Sequence, residues 1–193
     1  MVLLLFVALC TFCKSPFSTR DPESPVNQKS SWIQPTQPNY VAINLKNAIS
    51  EKNVSNYNRC FSDSVNTGKS FRFYASTAVA NAYPNLFAVW TKASESIYFN
   101  QLMLYLPQDS TSNLSLSLPV KENTFQDSVI ILYDYHLLLN HTVPVLECPK
   151  EMRGQCEFVI SKSADDLWYI RRWIDFASSD DPTWSQLKAY FGK

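Results

Sequence analysis

The chain has 193 residues, enough for one ordinary domain, and 46% of them are apolar and 14% aromatic, which excludes global disorder. Seventeen Lys and Arg balance seventeen Asp and Glu, and the longest local basic excess is Arg171-Arg172, so no footprint for nucleic acid is present. The three glycines, Gly68, Gly154 and Gly192, stand apart from one another, which excludes a P-loop and a dinucleotide fingerprint.

The chain opens with an apolar run, VLLLFVALC, over Val2 to Cys10. It is far shorter than the ~20 residues a membrane-spanning helix needs, and it matches the core of a secretory signal without the usual basic residues ahead of it. Val7-Ala8-Leu9-Cys10 resembles a bacterial lipoprotein signal with Cys10 as the lipidation candidate, although Leu9 stands where a small residue is expected. A plain signal peptide and an apolar N-terminal strand are the alternatives. Pro16, Pro22, Pro25, Pro35 and Pro38 among Ser, Thr, Gln and Asn then describe an extended tether. The expected organisation is a leader over 1–14, a Pro/Ser-rich linker over 15–36 and one domain over 37–193. The expected location is the cell envelope, with the membrane reached only through the N-terminal anchor, or outside the cell after secretion.

Within the domain, Pro38 suits the first turn of a helix, and Val41, Leu45, Ala48 and Ile49 follow at helical spacing. Val54, Tyr57 and Phe61 predict a short second helix, Asn-Thr-Gly at 66–68 a turn, and Ser70 to Ser76 a first strand. Pro84 opens the next element. Trp90, Ala93, Ser94, Ile97, Tyr98, Gln101, Leu102 and Tyr105 then predict an amphipathic helix closed by Pro107.

Beyond that helix the period changes to two. Leu114, Leu116 and Leu118 alternate with serines, Ser128 to Leu139 reads as a long strand apolar on both faces and hence central, and Gln155–Ser161 and Leu167–Phe176 complete a meander. Trp168 and Ile170 have one parity and Trp173 and Asp175 the other, so burying both tryptophans on one face requires a bulge near Arg171 and Arg172; the alternative is a strand buried on both faces with no bulge. Asp180-Asp181-Pro182 predicts the start of a final helix that runs through Tyr190, pinned to the sheet by Trp184. Helices followed by a strand meander give an α+β layer arrangement.

Cys60, Cys148 and Cys156 form no CxxC, although Cys148 and Cys156 could close a hairpin-sized loop. With only His136 and His141 to add, no metal site is expected.

The element order over 37–193, the segment LWYIRRWIDF and the coda DPTWSQLKAYF resemble the nuclear transport factor 2-like superfamily. This is the cone-shaped fold of ketosteroid isomerase and SnoaL-type proteins, and the coda resembles that of exported bacterial members. The resemblance implies a curved antiparallel sheet wrapped around N-terminal helices, a pocket at the open end, and frequent dimerisation through the sheet's outer face. It does not settle function, because the scaffold hosts isomerases, dehydratases, ligand binders and interaction modules.

No isomerase catalytic set can be placed residue by residue, and no cofactor is expected. Asp134 and His136, two apart on the long strand, could share a pocket as a base and its partner, or could face solvent or a dimer partner. Asp175 could be a pocket carboxylate, pair with Arg171 or Arg172, or cap local backbone. Tyr98 and Trp173 could wall a cavity or belong to the core. The candidate ligand-binding set is therefore Asp134, His136, Tyr98, Trp173 and Asp175.

The function expected first is non-enzymatic: an envelope or secreted domain holding a small apolar ligand or a protein partner, with a homodimer through the sheet. The alternatives are a SnoaL-like isomerase, dehydratase or hydrolase using Asp134 and His136, and a structural subunit of a surface assembly.

Overall fold

Alternating burial along three long strands builds the frame of the molecule. In the computed structural model, which describes residues 30–65, 67–144 and 148–193, these strands are β4 (Ser128–Leu139), β5 (Glu151–Lys162) and β6 (Trp168–Phe176). The leader, Cys10 and linker residues 15–29 lie outside the described residues. On β4, Val129, Ile131, Tyr133, Tyr135, Leu137 and Leu139 are buried and the intervening residues are half-buried or exposed, so the strand has one face on the core and not the two apolar faces its sequence predicts.

Six strands form one curved, unclosed sheet in the order β1-β6-β5-β4-β2, with β3 also paired to β4. β1 (Arg72–Tyr74) runs parallel to β6, while β2 (Ser112–Leu116) and β3 (Lys121–Thr124) pair antiparallel with opposite ends of β4. The bulge required by the two tryptophans is present. Pairing steps from Val159–Arg172 to Ile160–Ile170, leaving Arg171 as the extra residue of β6. Trp168, Ile170, Trp173 and Asp175 thereby all reach the inner face.

The helices cover that inner face. α1 (Pro38–Ser50) starts with proline in its first turn and buries Val41, Leu45, Ala48 and Ile49 as its spacing predicts. α2 (Val54–Arg59) is capped by Asn53, whose side chain accepts from Asn56 N at 3.0 Å. Two short helices, α3 (Thr77–Ala82) and α4 (Pro84–Phe87), precede α5 (Lys92–Met103), which begins with a Thr91/Ser94 capping box. α6 (Trp184–Phe191) closes the inner side, capped by Thr183 and Gln186. Pro182 thus precedes the cap instead of sitting inside the first turn.

Several expectations shift. The buried stripe of α5 is Glu95, Tyr98, Phe99 and Leu102, whereas Ile97 and Tyr105, read as part of the apolar face, are exposed. β5 begins four residues before the predicted start, at Glu151. Residues 30–36, read as linker, are strapped to the domain: Asn44 brackets Ile33 through both its backbone groups, Trp168 N donates to Pro35 O at 2.8 Å, and Arg59 stacks on Trp32 at 4.0 Å. Cys60, Cys148 and Cys156 are buried free thiols, so the Cys148–Cys156 loop closure considered from sequence does not form.

Gly154 is the cross-strand neighbour of Tyr135. A Cβ there would lie 2.5 Å from Phe176 O and 2.9 Å from the Tyr135 hydroxyl. Gly154→Ala is expected to destabilise the domain by about 1–3 kcal/mol through overpacking, measured by chemical denaturation; unchanged stability would show that Tyr135 is not held against this strand.

Candidate functional site in the sheet interior

Two buried carboxylates organise the interior. Glu95, in the first turn of α5, is fully buried, as is Lys188 of α6. Glu95 Oε1 accepts from the Tyr57 hydroxyl at 2.5 Å and from Lys188 Nζ, while Oε2 accepts from Trp90 Nε1 at 2.7 Å. The Lys188 ammonium sits among aromatic faces, 4.2 Å from the Trp173 ring centre, 4.4 Å from Phe73 and 4.6 Å from Tyr98, with Trp90 and Trp184 farther out. Burial pushes its pKa down to about 8, against the pull of Glu95 and Asp175.

The second carboxylate, Asp175 of β6, caps α6 from outside the helix. Its Oδ2 accepts from Ser185 N at 2.7 Å and from the Ser185 hydroxyl, and its Oδ1 accepts from the Tyr135 hydroxyl at 2.9 Å. The same tyrosine oxygen accepts from Trp184 N at 2.7 Å, so two orphan amides of the helix start are met by sheet side chains. Burial nevertheless raises the Asp175 pKa, with these hydrogen bonds opposing the shift. Trp184 lies edge-on to Trp173 at 4.4 Å and donates from Nε1 to the Tyr98 hydroxyl at 3.0 Å, which is the pinning expected of it.

The sheet divides the five candidate residues. Tyr98, Trp173 and Asp175 meet in the interior, where Tyr98 and Asp175 have their polar atoms engaged by α6. Asp134 and His136 have the opposite parity on β4 and lie on the outer face, so they are not a pair in the cone. Asp134 Oδ1 accepts from its cross-strand neighbour Gln155 at 2.8 Å, and His136 Nε2 lies 2.7 Å from Glu151 Oε1. Glu95, Lys188, Tyr57 and Tyr135 were missed from sequence. A signal existed: Trp184, Leu187, Lys188 and Phe191 share one helical stripe, as do Glu95, Tyr98, Phe99 and Leu102, so each apolar face carries one charge. Among the described residues no group of three or more His, Cys, Asp and Glu could hold a metal, and no helix is long and apolar enough to cross a membrane.

No protein-family model matches the chain, and no curated protein matches it by sequence. Solved structures do match. A protein assigned as a dehydratase of the NTF2-like family from Streptomyces avermitilis aligns over 75% of this chain and 96% of its own, with a TM-score of 0.56 at 7% identity. The chain has the nuclear transport factor 2-like fold. Two further structures agree on this NTF2-like architecture. A conserved protein from Planctomyces limnophilus covers 72% of this chain and 91% of its own, with a TM-score of 0.54 at 9% identity. A protein assigned as an aromatic ring hydroxylase from Novosphingobium aromaticivorans covers 76% and 91%, with a TM-score of 0.52 at 10% identity. The similarity establishes the fold and leaves the chemistry to the residues of this chain.

In this NTF2-like domain Lys188→Met is expected to cost about 3–5 kcal/mol, because it strands a buried carboxylate, and adding Glu95→Gln should return part of the loss. Denaturant titration of the two variants decides this; a double variant less stable than the single one would refute the pairing. The pH dependence follows from Lys188. Its folded pKa of about 8 lies below the ordinary 10.5, so between these values the unfolded chain binds more protons and this group makes stability climb with pH. The buried Tyr57, Tyr98, Tyr135 and cysteines act in the opposite sense at higher pH, because their folded pKa values are raised. Between pH 8 and 9 the stability of the wild type relative to the Glu95→Gln/Lys188→Met variant should therefore rise; a flat difference would show that Lys188 is not desolvated.

Proposed function

We propose that this protein is a non-enzymatic interaction domain whose cone is closed by its own last helix and whose working surface is the outer face of the sheet. The observation that carries this reading is the seating of α6. Lys188 fills the aromatic interior, and Asp175, Tyr135, Tyr98 and Glu95 are hydrogen-bonded to protein groups rather than presented to a substrate. The pair that a hydrolytic or isomerising reading would use, Asp134 and His136, stands on the other side of the sheet in cross-strand contacts.

The outer face has the character of an association surface. Ile130, Leu132 and Ile174 are half-buried there and Phe176 is exposed, beside a depression of about 480 Å³ edged by Lys121, Glu157 and Arg172. Glu157 Oε1 accepts from Arg172 Nη2 at 3.2 Å, while Arg172 Nε is buried without a partner among the described residues. Such a mixture of apolar centre and charged rim suits a second copy related by a two-fold axis. The apolar leader and Pro-rich stretch support an exported domain, held at the envelope through Cys10 or secreted.

Sedimentation or light scattering over a concentration series tests the surface. A wild-type dimer that becomes a monomer in Leu132→Arg, with unchanged melting of the isolated domain, is the expected result. A wild type that stays monomeric throughout would refute the homodimer.

A further inference from the structure

The surroundings of Lys188 have the chemistry of a recognition site. One carboxylate, Glu95, hydrogen-bonds an ammonium that is surrounded by the π faces of Trp173, Phe73 and Tyr98, with Trp90 and Trp184 farther out. Rings gathered around an ammonium are the means by which proteins bind organic cations. Stability alone does not account for the arrangement, because a buried ion pair replaced by well-packed apolar residues is commonly neutral or stabilising.

We propose that the interior of the sheet is a binding site for an organic ammonium group, and that Lys188 occupies it in cis as a tethered ligand. Glu95 supplies the counter-charge, and Trp173, Phe73 and Tyr98 supply the π faces. None of these belongs to α6, the helix that carries Lys188. Trp173 adds a further signature: its Nε1 is buried without a hydrogen-bond partner among the described residues, and the lysine, itself only a donor, cannot satisfy it. An ammonium ligand bearing a nearby oxygen acceptor can. The connection between β6 and α6, residues 177–182, is exposed throughout, and withdrawal of the helix would release the contacts that Asp175, Tyr135 and Arg153 make with its start. The site lies on the opposite face of the sheet from the dimer surface, and its test reads a different quantity.

The test uses n-propylammonium, the fragment removed from Lys188→Ala. In that full-length variant, propylammonium is expected to raise the melting temperature saturably, by roughly 5–10 °C at a hundredfold excess over its Kd, while 1-propanol and propionate do not. Equal effects of all three, or none, would overturn the ammonium site. In the wild-type chain, which needs no substitution to fold, the same amine is expected to remove hydrogen-exchange protection from Trp184–Phe191 and leave β4 and β5 protected. Unchanged protection of α6 would overturn displacement of the tethered lysine.

Discussion

A lysine and a glutamate with no access to water constrain this fold more than any other contact. Either charge alone in such surroundings carries a desolvation penalty of several kcal/mol, so α5 and α6 must be placed together and in register. Tyr57 and Trp90 complete the coordination of Glu95, which ties α2 and the segment before α5 to the same point. The aromatic rings around Lys188 come from β1, β6, α5 and α6. One ammonium thereby links elements from both halves of the domain.

The second buried carboxylate solves a local problem created by the first. Seating α6 deep in the interior removes its first amides from water, and those amides need acceptors. Asp175 and Tyr135 provide them from the sheet. Tyr135 can reach across because its neighbour on β5 is Gly154, where a side chain would occupy the phenol's place. Asp175 can point inward because the bulge at Arg171 reverses the parity of β6 ahead of it. A glycine and an inserted residue, each costly in an ordinary strand, are thus explained by one helix start.

The outer side of β4, β5 and β6 carries apolar residues of intermediate burial next to charges, a composition that a solvated face does not require. Asp134 and His136 belong to that composition, with partners across the strands rather than with each other.

Much of the architecture was legible from periodicity. The long strand Ser128–Leu139, α1 from its first-turn proline, α5 before Pro107 and the bulge in β6 follow from spacing and parity, because the apolar pattern of each element has to match one face of its neighbours. β3 and α3 were not legible: KENT is exposed along its length and TAVANA, Thr77–Ala82, buries a single valine, so neither carries a strong apolar signal. By itself the sequence determined the α+β class and the order of the main elements. Only the tertiary structure decided that the cone is filled, that Asp134 and His136 face outward, and that Glu95 and Lys188 face in. Charged residues on short helices read as solvent-facing until a partner of opposite sign is brought beside them, and that partner lies 93 positions away in the chain.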